Sequence, residues 1–191
     1  MIDKPYYDAA VHDDRLIDGR NDPVTNSPLP HARTGKIVCF TGHREIPQTE
    51  LARLLQLLDN TVEQQIQSGA ALFRTGGAIG FDTYAALSVL KLRRKYPHVA
   101  LELVLPCPTQ TKGWSDNDTR LYRQILEQAD RYRYLSTSYY NGVMQMRNLT
   151  LVEGADVCIS YLRTSHGGGA AFTAATALRN GLELINLQDF L

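Results

Sequence analysis

Long apolar runs are missing from this 191-residue chain: no stretch approaches the roughly 18 consecutive apolar residues that a membrane-spanning helix needs. Charge of one sign is missing too. Twenty Lys and Arg balance twenty Asp and Glu, so there is no global footprint for nucleic acid or an anionic membrane, and a small ligand is the favoured partner. Cysteine is scarce. Cys39, Cys107 and Cys158 fall in or just after strand-like runs without CxxC spacing, which reads as buried reduced thiols rather than as metal ligands or a disulfide. The early residues include Asp3, Asp8, Asp13 and Asp14, with no basic start leading into an apolar stretch. A secretory signal is not expected on that pattern, and a cytoplasmic location is.

What the chain does have is 43% hydrophobic content, enough for one compact domain with a short extension. Residues 1–34 are dense in turn formers and breakers, among them Asp18-Gly19-Arg20-Asn21-Asp22-Pro23 and Ser27-Pro28-Leu29-Pro30, and read as an irregular arm or linker. From about residue 35 to 191, short apolar runs alternate with helical patterns. The expected strands are Ile37 to Thr41, Ala70 to Thr75, Val99 to Leu105, Tyr132 to Leu135, Asp156 to Tyr161 and Leu184 to Leu187. Leu51, Leu54, Leu55, Leu58, Val62 and Ile66 form one helical stripe between Pro47 and Ser68-Gly69, and further helices are expected over Tyr84 to Tyr96, Ser115 to Ala129, Met144 to Gly154 and Gly169 to Asn180. This alternation implies an α/β fold with a mainly parallel sheet covered on both faces, whose ligand sites lie beyond the carboxyl ends of the strands at the switch point.

Three turns would fall on that edge. Thr41-Gly42-His43-Arg44 follows the first strand and offers a tight turn, an imidazole and an obligatory cation. The alternative is that Arg44 pairs with Glu45 or Glu50 and His43 caps a turn. Thr75-Gly76-Gly77-Ala78-Ile79-Gly80-Phe81-Asp82 can expose several backbone N–H groups, with Asp82 either accepting ribose hydroxyls or capping the helix. Its spacing is neither GxGxxG nor GxxxxGK[ST], so neither of those functions follows. Ser165-His166-Gly167-Gly168-Gly169-Ala170-Ala171-Phe172-Thr173 pairs three glycines with a hydroxyl one turn into a helix, a phosphate cradle whose alternative is close helix-to-strand packing. Arg147-Asn148 is read either as facing the cleft or as a solvated Arg beside a turn-capping Asn, and Trp114 as stacking on a base or closing a core edge. No metal site is expected.

Taken together, Gly42-His43-Arg44, the Gly76 to Asp82 turn, Leu105-Pro106-Cys107-Pro108 leading to Trp114, Arg147-Asn148 and Ala155-Asp156 before a glycine turn resemble the YpsA-like branch of the SLOG superfamily, over about residues 36 to 188. The resemblance implies a Rossmann-like three-layer sandwich and a site for a nucleotide or a nucleotide-derived ligand such as NAD or ADP-ribose. It also brings in a homodimer and two relatives of other activity, the LOG phosphoribohydrolases and the single-stranded-DNA-binding DprA/Smf proteins. LOG enzymes carry a PGGxGTxxE motif whose Glu takes part in glycosidic cleavage; here Gly167 to Thr176 contains no carboxylate, which leaves Asp82 as the local candidate for catalysis. The expected function is therefore nucleotide binding, in the manner of a sensor, with a nucleotide N-glycosidase as the alternative. A DNA-binding module is the further alternative, for which Arg131, Tyr132, Arg133, Tyr134, Tyr139 and Tyr140 would supply cations and aromatics, although the same alternation also describes a solvent-facing strand.

Overall fold

A computed structural model describes residues 24–25, 35–163 and 167–191. Seven strands make one sheet in the order β1-β5-β4-β3-β2-β6-β7: β1 (Val24–Thr25), β2 (Lys36–Gly42), β3 (Ala70–Thr75), β4 (Ala100–Leu105), β5 (Arg131–Tyr134), β6 (Val157–Tyr161) and β7 (Glu183–Asn186). Strands β2 to β7 are parallel throughout, and β1, from the stretch expected to be irregular, adds antiparallel to β5. The central strands are mostly apolar because both of their faces are covered; every residue of β4, Glu102 included, is buried.

The helices are α1 (Gln48–Gln67), α2 (Phe81–Arg93), α3 (Asp116–Gln128), α4 (Val143–Val152) and α5 (Gly168–Arg179), with a closing 3-10 turn over Leu187–Phe190. Helix α1 begins after Pro47, which has no N–H to leave unsatisfied, and ends before Gly69, whose φ of 95° an L side chain resists. Ser115 starts α3 by accepting from the Asp118 N–H at 3.1 Å. Helix α2 starts and stops three residues earlier than its apolar pattern suggests. The reason is Gly80, which turns the chain at φ 83° and puts Asp82 into the first turn, while residues 94–96 close as a turn on the Leu92 carbonyl.

Helices α1, α2 and α3 bury one face of the sheet through Leu54, Leu58, Val62, Phe81, Ala85, Val89 and Ile125 against Phe40, Phe73, Leu101 and Leu103. Helices α4 and α5 bury the other through Leu151, Val152 and Ala177 against Cys39, Val104 and Cys158. Each such aliphatic or aromatic side chain contributes about 1.5–3 kcal/mol by leaving water. The result is a Rossmann-like three-layer sandwich. The helix layer changes sides where the chain stops adding strands beyond β5 and returns to add β6 beside β2, as right-handed crossovers require.

The Arg-Tyr alternation of β5 is not a solvent face, which corrects the blander of its two readings. Tyr134 is buried and Tyr132 packs beside it in the α1–α3 core. Arg131 and Arg133 turn to the opposite face, where the carboxylate of Glu102 is buried and bonded to Arg74 Nε at 2.7 Å. Their Nε atoms stand 3.5 and 3.4 Å from Glu102 Oε1. A buried carboxylate demands cations, and three guanidiniums from two strands answer it.

Candidate functional site at the switch point of the sheet

Strands β2 and β6 are the neighbours from which the chain departs in opposite directions, and open α/β sheets take ligands at the carboxyl end of such a pair. Gly42 and Tyr161 face each other there in register. A cleft of about 360 Å³ opens beyond them, lined by Thr41, Gly42, His43, Arg44, Ala78, Asp82, Met144, Arg147, Asn148, Leu151, Gly167, Gly168, Gly169 and Ala170. The three turns that the sequence singles out therefore contribute to one cavity. Thr164 to His166, part of the third turn, lie outside the described residues.

His43 ties the rim together. Its N–H donates to the Tyr161 carbonyl at 3.1 Å, its carbonyl accepts from Phe81 N–H, and its ring Nε2 accepts from the Arg163 N–H at 3.0 Å. An accepting Nε2 places the ring proton on Nδ1. Gly42 is needed because the Phe81 ring packs where its Cβ would be. Arg44 is exposed and has no ion pair among the described residues; Glu50, one of its expected partners, accepts instead from the Tyr161 hydroxyl at 2.6 Å. Burial and Glu50 together push the Tyr161 phenol up to about 12.

The second turn works differently from a cradle of amides. Gly76, Gly77 and Gly80 do not line the cleft. Gly76 makes room for the Arg147 guanidinium, Gly77 packs against Leu105 and Tyr122, and Gly80 admits the Arg44 backbone. Asp82, 6% exposed, accepts from Ala78 N–H at 3.3 Å and from Arg147 Nη1 at 3.4 Å. Burial pushes its carboxyl above the usual range, against the opposing pull of Arg147 and of the Ala78 and Gly76 amides. Its Oδ2 is already engaged by groups of the protein.

Arg147 is the centre of the arrangement. It reaches from α4 to the Gly76 turn while only 8% exposed, and its buried Nε has no hydrogen-bond partner among the described residues. Burial draws its basicity down, and Arg44 acts in the same direction, against Asp82. Since a guanidinium stays charged in proteins, this is a desolvated cation with one long contact and a spare donor.

The third turn supplies the remaining positive potential. Gly167 and Gly168 have φ of 82° and 78°, and a Cβ at either would meet only open space. Gly167 precedes α5 without a side-chain cap, so the first N–H groups of that helix and its dipole are directed to the cleft. Gly169 is held by Asn148, whose Nδ2 donates to its carbonyl at 3.2 Å. Thr173 is fully buried and donates to the Gly169 carbonyl at 2.9 Å, outside the cleft lining. Trp114 is also outside it, edge-on to Tyr122 at 5.7 Å. Asp156 sits at the opposite end of β6, accepting from Ile37 N–H at 2.7 Å.

Met144 and Leu151 line the cleft without having been singled out in the sequence. The signal was present: residues 144, 147, 148 and 151 share one face of a helix.

Comparison with known proteins identifies the family of the chain. The model of the YspA SLOG family, YpsA, matches residues 39–183. A UPF0398 protein of Halalkalibacterium halodurans is 31% identical over 130 residues, which span 63% of this chain and 69% of that one. A UPF0398 protein of Brevibacillus brevis is 27% identical over 105 residues, 54% of this chain and 56% of its own. Among solved structures, DNA processing protein A from Helicobacter pylori, described as binding single-stranded DNA, superposes with a TM-score of 0.57 at 19% identity, over 79% of this chain and 64% of that one. That likeness is one of fold.

Proposed function

We propose, starting from the membership of this chain in the YspA SLOG family, that the cleft binds a nucleotide or a nucleotide-derived ligand through its phosphate and serves as a sensor. One observation carries the reading: Arg147 is a nine-tenths buried guanidinium whose Nε has no partner among the described residues, in the same cleft as Arg44, which has no ion pair among them, and the uncapped start of α5. Two cations and a helix N-terminus face a single carboxylate, so the cavity has a deficit of negative charge that a phosphate group would fill. In the ligand-bound state Arg147 Nε and the first amides of α5 donate to phosphate oxygens, and Arg44 closes over them from the rim.

Binding is favoured over glycosidic cleavage for a chemical reason. Hydrolysis of an N-glycosidic bond calls for carboxylates to stabilise charge at the ribose and to manage protons. Among the described residues Asp82 is the one carboxylate in the lining, and it is held by the Ala78 amide and Arg147.

The test is thermal stability of the whole chain against nucleoside mono-, di- and triphosphates, NAD, ADP-ribose and a short DNA strand, with product analysis of each hit. A bound ligand raises the midpoint by mass action. The expected result is a shift with an intact nucleotide that is lost in Arg44→Ala and Gly168→Asp. A released base would replace the sensor reading by the glycosidase one, and a panel without any shift would remove the phosphate site altogether.

A further inference from the structure

Held by its phosphate, a nucleotide must still place its base, and the cleft offers little to receive one. Among the described residues the one ring in its lining is His43, which is committed to the Arg163 N–H and lies edge-on to Tyr161 at 6.0 Å. Trp114 is occupied by Tyr122. A volume of about 360 Å³ is also at the low end for small-molecule sites, so part of a nucleotide would project from the mouth.

Two exposed aromatic side chains belong to the loop that leads into α4, the helix that walls the cleft. Tyr139 is 65% exposed and Tyr140 46%, whereas Tyr122, Tyr134 and Tyr161 are buried. Both lie between the carboxyl end of β5 and the start of α4, on the same edge of the sheet as the cleft. The Tyr140 carbonyl accepts from the Val143 N–H at 3.2 Å, so Tyr140 is joined to the first turn of the helix whose Met144, Arg147 and Asn148 line the cavity. The helical rise puts Arg147 only about 6 Å along the axis from Val143. Met144, between them in the chain, adds an apolar side chain to the cleft lining.

We infer that Tyr139 and Tyr140 form a stacking platform for the base of the ligand, making the site selective for base-bearing phosphates over plain sugar phosphates. The inference rests on the phosphate-binding reading of the cleft. Tyrosine rings stack on any base because every base has a π-face, so the platform confers a requirement for a base rather than a choice among bases.

The experiment is calorimetric titration of the full chain with adenosine 5′-monophosphate, cytidine 5′-monophosphate and ribose 5-phosphate, for the native protein, Tyr139→Ser/Tyr140→Ser and Tyr139→Phe/Tyr140→Phe. The native protein should bind both nucleotides more tightly than ribose 5-phosphate. The serine pair should lose roughly ten- to hundredfold in affinity for the nucleotides and none for ribose 5-phosphate, and the phenylalanine pair should retain nucleotide binding. Equal native affinities for the three, or an unchanged serine pair, would overturn the platform while leaving the phosphate site standing. A serine pair that altered only the oligomeric state would also overturn it, assigning these rings, with the exposed Met146 and Leu149 of α4, to an interface between copies of the chain. Failure of the native protein to bind any of the three would overturn the platform together with the phosphate site, and that outcome is distinct from the others.

Discussion

A methyl group at position 76 would stand where the Arg147 guanidinium now lies. Gly76→Ala is thus expected to expel Arg147 or shift the turn, lowering stability by about 1–3 kcal/mol, the usual cost of overpacking, and weakening anion binding in the same variant. Urea denaturation and a phosphate-ligand titration check both effects; a variant with native stability and affinity would mean that Arg147 has other room. The glycine pattern was visible in the sequence, but its use was not. A phosphate cradle and a slot for a guanidinium 71 residues away both call for glycine, and residue types alone cannot separate them. Thr173 presents the same ambiguity, since a threonine hydroxyl in a helix is as readily satisfied by the carbonyl four residues back, which is where it donates here.

Helix α5 presents its first turn to the cleft through Gly168, and this separates backbone from ligand effects. Gly168→Ala should cost about 1–2 kcal/mol for a left-handed backbone without a steric clash. Gly168→Asp adds a carboxylate where an anion is expected and should abolish phosphate binding beyond that same loss of stability. On the same face of the sheet, Glu102 joins β3, β4 and β5. Glu102→Gln leaves Arg74, Arg131 and Arg133 around a neutral group, and the expected penalty is about 3–5 kcal/mol in urea, the range for breaking a buried ionic cluster. A loss below 1 kcal/mol would show that water already reaches these arginines. At this scale the parallel strands were legible, since short runs rich in apolar and β-branched residues bounded by turn formers mark strands, whereas β1 fell in a stretch read as irregular. The start of α2 was not, because Gly80 and Phe81 have no helical periodicity to declare and the helix begins where the chain packs on the Arg44 backbone.

For the molecule as a whole, Asp82 links the site to stability. A carboxyl whose folded pKa lies above its unfolded value binds its proton more tightly when folded. Its contribution is therefore fullest below the ordinary carboxylate value of about 4 and is lost as pH rises through the higher folded value. The stability of the native chain relative to Asp82→Asn should fall with pH across that window, as read from denaturation midpoints at a series of pH values. A difference independent of pH would remove the assignment to Asp82.

Periodicity and punctuation in the sequence were enough to determine the alternation of strands and helices, the parallel sheet and the positions of its glycine turns, because these depend on local backbone preference and on which residues avoid water. The tertiary structure decided which turns share a cavity. Only when β6 pairs beside β2 do Arg44 and the start of α5 meet, and only when α4 packs over that edge does Arg147 reach Asp82 and the Gly76 turn. Contacts between residues separated by 65 positions in the chain, as Asp82 and Arg147 are, leave no local periodicity; they exist because the sheet and its covering helices close around a common core.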